Sequence, residues 1–165
     1  MKPTLEDVQK EMLPGVITRD GFLGSDPRTL EAILQDDNET VRGLGLTHAL
    51  IAAKMRALMQ AGLRGLGTWV AVAPHFVVLV DSVRGVLPCP FLHEGTFPKT
   101  RVTVKNTRLG REITFTELNV HLIEAHGFYE GQGAPFRLDP PTLAQVLEIS
   151  GPETNSAAGQ SSGEN

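Results

Sequence analysis

Apolar positions along the chain fall into three regimes. Through roughly the first sixty residues they recur every three or four positions, the spacing of a helix with one buried face. Leu5, Val8 and Met12 mark a short first helix behind Thr4, stopped by Pro14-Gly15. Ser25-Asp26-Pro27 offers a cap and a first-turn proline for a second helix carrying Leu30, Ile33 and Leu34, and Asp36-Asp37-Asn38 is expected to end it. Val41, Leu44, His48, Ile51, Met55 and Leu58 then share one stripe of a third and longest helix over 40–61. Leu46, Leu50, Ala53 and Ala57 make its other side apolar too, so this helix is expected to be central, covered on several faces or packed against a second copy of the chain.

In the second regime the period shortens. Residues 68–73 and 75–83 are valine-rich and separated by Pro74, the pattern of two strands, or one strand broken by a bulge, in a sheet interior. Residues 81–85 suggest a turn, and Pro88 with Pro90 points to an ordered loop over 87–92. Residues 101–105 and 111–115 alternate apolar with polar around Asn106-Thr107-Arg108-Leu109-Gly110, a hairpin that turns Val102, Val104, Ile113 and Phe115 inward.

Helical spacing then returns. A helix begins near Thr114 or Thr116, with Thr114-x-x-Glu117 in the form of a capping box, and ends where Gly127 can turn left-handed and Phe128 fold back. A Gly-rich loop over 129–137 precedes a last helix that starts at Asp139-Pro140 and carries Leu143, Val146 and Leu147. Runs of one element type followed by runs of another predict an α+β fold: three N-terminal helices, a small mainly antiparallel sheet of about four strands and two C-terminal helices. Residues 1–149 are expected to form one globular domain. Residues 150–165 contain nothing apolar larger than alanine and proline, and are expected to be a disordered tail.

Charge and composition narrow the partners. A net charge of −4 over 165 residues, with Lys and Arg scattered, provides no basic footprint for nucleic acid or an anionic membrane. No apolar run reaches the ~18 residues of a membrane span. A single cysteine cannot form an internal disulfide, and no apolar leader follows Met1, so a cytoplasmic setting is expected.

Chemistry concentrates in 87–133, which holds three of the five histidines and the lone cysteine. Cys89-x3-His93 and His121-x4-His126 supply four ligands of the types that suit tetrahedral zinc. Leu118-x2-His121-x4-His126 resembles the helical half of a Cys2His2 zinc finger, but the preceding hairpin has no cysteine, which excludes a finger. On a regular helix His121 and His126 stand about 140° apart, so convergence would require the last turn to unwind at Gly127. His121-x2-Glu124 places an imidazole and a carboxylate side by side, the form of a general base or of a surface ion pair. No HExxH motif is present, and no serine sits in Gly-x-Ser-x-Gly. His48 fits a core histidine, and His75 a structural position in a connection.

The leading expectation is therefore a non-catalytic intracellular interaction or accessory module. It would bind a protein or small-molecule partner through the 127–137 loop, with Tyr129, Glu130, Phe136 and Arg137 as contacts and without a cofactor. Second comes a zinc-stabilised domain using Cys89, His93, His121 and His126. Third is a small enzyme with His121 and Glu124 as general base.

Overall fold

In the computed structural model, which describes residues 2–151, every helix begins on an oxygen-bearing side chain. Thr4 caps α1 (Leu5–Glu11), Thr29 caps α2 (Leu30–Gly43) and Thr47 caps α3 (His48–Leu63). Thr116 caps α4 (Glu117–His126), and Asp139 caps α5 (Pro140–Leu147). Each such cap satisfies an orphan N–H and contributes about 1 kcal/mol. Of the expected tail, 150–165, residues 152–165 lie outside the described residues.

Two helix boundaries differ from the pattern-based expectation. Asp26 does not cap α2, because its carboxylate is taken by the backbone N–H and guanidinium of Arg28, and Thr29 caps instead. Nor does α2 stop at 36–38. It runs to Gly43, and the break falls at 44–47, where Gly45 has φ 75° and Thr47 restarts the helix. The helix expected over 40–61 is thus the end of α2 followed by α3.

Four strands form one antiparallel sheet in sequence order: β1 (Val70–Val72), β2 (Phe76–Pro88), β3 (Thr96–Asn106) and β4 (Arg111–Thr116). β2 passes straight through the turn expected at 81–85, absorbing the extra residues as a bulge between Val83 and Val86. It ends on Pro88, so the loop begins at Cys89.

Alternation along the strands builds the main core. Val78, Val104 and Ile113 pair across one rung and Val80, Val102 and Phe115 across the next, forming a cluster with Ile51, Met55 and Leu58 of α3 and Leu143, Val146 and Leu147 of α5. At Gly62 a Cβ would lie 2.6 Å from Val78 Cγ1, so only glycine lets α3 lie this close to β2. A second cluster joins Val8 of α1, Met12 just after it, and Leu30 and Ile33 of α2 to Phe22, Cys89, Leu118, Leu122 and Phe128. Helix α4 contributes Val120 and Ile123 to the first cluster and Leu118 and Leu122 to the second. It, rather than α3, stands at the centre. Among the described residues no helix is long and apolar enough to cross a membrane.

At the end of α5, Glu148 takes a left-handed conformation (φ 54°) and its carboxylate gathers Arg108, Asn106 and His75. His75 therefore has the structural role expected of it. Hydrogen bonds from Arg108, then Asn106 and His75, lower the Glu148 carboxyl from its ordinary 4.5 to about 2. A depressed carboxyl pKa stabilises the fold above its unfolded value, and that contribution is lost as pH falls through the folded value. Between pH 4.5 and about 2 the urea midpoint should fall with pH, and Glu148→Gln should make that fall shallower. An unchanged slope in the variant would remove Glu148 from the acid response.

Candidate metal centre

The segment after β2 is turned sharply at Leu92, which has φ 60° and donates its N–H to Cys89 O at 3.1 Å. A left-handed leucine is an unfavourable local conformation, held here by its surroundings. The turn folds His93 back beside Cys89 and aims the backbone N–H groups of Phe91 and His93 at the sulfur.

Opposite this turn, α4 presents His121 and His126. Thr116 and Asn119 form the capping box at its start, not Thr114 and Glu117. Its last turn does not unwind. Gly127 (φ 62°) donates to Ile123 O and Phe128 to Leu122 O, a Schellman closure of a helix that stays regular through His126. The two rings meet nonetheless, with centroids 5.3 Å apart at 82°. The 140° separation applies to Cα positions. Side-chain rotation closes it, because His126 occupies the final turn and no later turn fills the space beside it. Gly127 is required twice over, by its φ and because a Cβ there would lie 2.8 Å from His48 Nε2.

Cys89, His93, His121 and His126 each offer one donor atom, and all four lie within 4.8 Å of one another. Cys89 Sγ is 3.5 Å from His126 Nε2, and His93 Nδ1 is 3.3 Å from His121 Nε2. The edges of a zinc tetrahedron with ordinary bond lengths are about 3.3 Å between two nitrogens and about 3.6 Å between nitrogen and sulfur. An imidazole–imidazole hydrogen bond would instead bring the nitrogens to about 2.7–3.2 Å. Two of the six donor separations therefore have the length of tetrahedral edges, and the six together lie within 4.8 Å. Aromatic rings fix the imidazoles: Phe91 stacks on His126 at 4.1 Å and Phe97 on His121 at 4.2 Å.

Burial is graded across the group. Cys89 is buried, His121 and His126 are half-buried and His93 is exposed. Desolvation, then the neighbouring His121 and His93, pushes His126 down to about 4; desolvation and His93 likewise lower His121. Both rings are held neutral, the form that donates a lone pair to a metal. Desolvation raises the Cys89 thiol, opposed by the Phe91 and His93 N–H groups, which stabilise negative charge on sulfur.

The remaining predicted site residues lie elsewhere. Glu124 accepts two hydrogen bonds from Arg56, at 2.8 and 3.0 Å, and among the described residues no hydrogen bond joins it to His121. In the 127–137 loop most side chains point inward. Tyr129 is fully buried, its hydroxyl 2.8 Å from His48 Nδ1, and His48 Nε2 lies 3.1 Å from Asn38 Oδ1. Glu130 is buried with Asn119 donating to its Oε2 at 2.8 Å. Arg137 grips the buried Asp37 with both guanidinium nitrogens and donates to Glu130 O. Phe136 is half-buried beneath Arg101. Sequence reasoning missed Phe91, Phe97 and Leu92, which orient the cluster. Their one sequence signal was position, two or three residues beyond Cys89 for Phe91 and Leu92, and just ahead of the β3 pattern for Phe97.

Neither a family model, nor a curated protein, nor a solved structure matches this chain.

Asp37 and Arg137 are 6% and 15% exposed, so removing one partner leaves the other charge buried. Asp37→Ala should cost about 3 kcal/mol of unfolding free energy, whereas Asp37→Leu combined with Arg137→Met should recover most of it. Equal losses in the single and double variants, measured by urea denaturation, would mean the pair is not the source of the effect.

Proposed function

We propose that this chain binds one divalent transition-metal ion through Cys89, His93, His121 and His126, and that the ion braces the domain. The observation that carries this reading is the convergence of four donor atoms within 4.8 Å of one another, two of whose separations, 3.3 Å between nitrogens and 3.5 Å between nitrogen and sulfur, have the length of tetrahedral edges. One thiolate with three imidazoles suits zinc over calcium or magnesium, whose preference is for oxygen donors. Four protein donors fill a tetrahedron and leave no position for water or substrate, which is the signature of a structural site.

The ion would join the turn after β2 to the C-terminal half of α4, adding to the packing of Phe91 on His126 and Phe128 that already links them. Because such a site is not preformed in the unfolded chain, metal binding adds directly to folding free energy. A bound cation would also favour the thiolate that burial alone opposes.

Protein purified without chelator should carry about one zinc per chain, and EDTA should lower its thermal midpoint. Cobalt substitution should give the visible absorption of a tetrahedral site with a near-ultraviolet thiolate charge-transfer band, and Cys89→Ser should abolish that band. No stoichiometric uptake on reconstitution, or a band that survives Cys89→Ser, would overturn the assignment. Phe91→Ala, which removes the ring stacked on His126, should weaken zinc retention about tenfold in a competition titration.

A further inference from the structure

Below the exposed part of β3 a second feature is left unused by the metal centre. Two adjoining cavities of about 400 and 240 Å³ share a wall made by Leu87, Lys99, Arg101, Thr116, Leu118 and Phe136. Phe22 and Glu130 close the larger lobe. Its size is in the range that holds a small organic molecule.

Charge is unbalanced around this space. Lys99 and Arg101 form no ion pair among the described residues; Arg101 lies instead over the Phe136 ring, 5.7 Å from its centroid. Arg19 and Asp20 at the rim add one charge of each sign. Glu130 reaches the lobe from below. It is 97% buried by the rest of the chain, being only 3% exposed, and adopts φ 67°, a left-handed conformation uncommon outside glycine. Neighbours hold it there: Gly131 donates to Phe22 O, and Arg137 to Glu130 O. One carboxyl oxygen accepts from Asn119. Oε1 has no hydrogen-bond partner among the described residues, yet no buried side-chain polar atom there is left unpartnered, so this oxygen opens onto the cavity. Strain and an unpaired, inward-held carboxyl at a cavity wall mark a site built to meet a ligand.

We infer that this cleft binds a small organic acid, its apolar body against Phe22, Leu87 and Phe136 and its carboxylate between Arg101 and Lys99. Arg101 supplies a planar fork suited to a carboxylate, and Lys99 a second positive charge. Glu130 completes the site as a neutral acid. Burial raises its carboxyl to about 7 against the opposing Asn119 hydrogen bond and Arg137 charge, so its protonated form can donate to the bound anion. The site depends on neither the cysteine nor any histidine, and so stands apart from the metal centre.

The probes are 2-naphthoate and 2-naphthylmethylamine, matched in shape and opposite in charge, titrated into the full-length chain by calorimetry. Naphthoate should bind one-to-one and at least tenfold more tightly than the amine. Lys99→Glu with Arg101→Glu should weaken naphthoate at least tenfold with the thermal midpoint unchanged, since both side chains are exposed on the sheet. Glu130→Gln, which can still accept from Asn119 and donate into the cavity at every pH, should retain naphthoate binding above pH 7 where the parent chain loses it. Equal affinity for the two probes, no binding of either, or naphthoate affinity unaltered by the double charge reversal would each overturn the inference. The comparison of probes on the unaltered chain decides the matter even if a variant misfolds.

Discussion

The burial of α4 on two opposite sides is the constraint on which the rest of the molecule depends. Val120 and Ile123 enter the cluster formed by the sheet, α3 and α5, while Leu118 and Leu122 enter the one formed by α1, α2 and the Cys89 turn. Each fully buried side chain of this kind contributes about 1.5–3 kcal/mol. Four of them fix the rotation of a ten-residue helix, and Glu117, His121, Glu124 and Ala125 are left along its less buried edge. His121 stands on that edge, and the ring of His126, in the last turn, turns to meet it.

At the Cys89 cluster, burial first and then the neighbouring imidazoles hold His126 and His121 below their ordinary basicity. Contacts of 3.3 and 3.5 Å and the stacked rings of Phe91 and Phe97 keep the group together. A left-handed Leu92 adds local strain at the same place. Departures from local preference that coincide at one locus are what a functional site produces in an otherwise consistent chain.

Much of this was legible in the sequence, for identifiable reasons. The hairpin around 106–110, the Asp139-Pro140 start of α5 and the Gly127 stop of α4 are set by neighbours in the chain, and each forms where the pattern places it. The four residues of the Cys89 cluster were visible as two short spacings; their convergence was not, since helix geometry gives Cα directions and the rings turn past them. The α2–α3 break was misplaced because Asp37 reads as a helix-ending polar residue. Its charge is met by Arg137, one hundred positions away, and nothing near residue 37 reveals that. The Tyr129–Arg137 loop looked outward for the same reason: its partners Asn38, His48, Asp37 and Asn119 come from other elements. The cleft beside β3 gathers Phe22, Arg101 and Glu130 from three distant segments, so no local pattern announces it.

The bridge between the first and last thirds of the chain also governs the order in which the molecule can be completed. Gly131 donates to Phe22 O, and the Gln132 N–H bonds to Asp26 across 106 positions. On a growing chain α1 and the start of α2 therefore emerge long before α4 and the loop they dock on. Phe22, Leu30 and Ile33, all buried in the finished molecule, share their cluster with Leu118, Leu122 and Phe128, which lie about ninety residues further on. The N-terminal segment thus completes its packing only once α4 and the loop after it are in place.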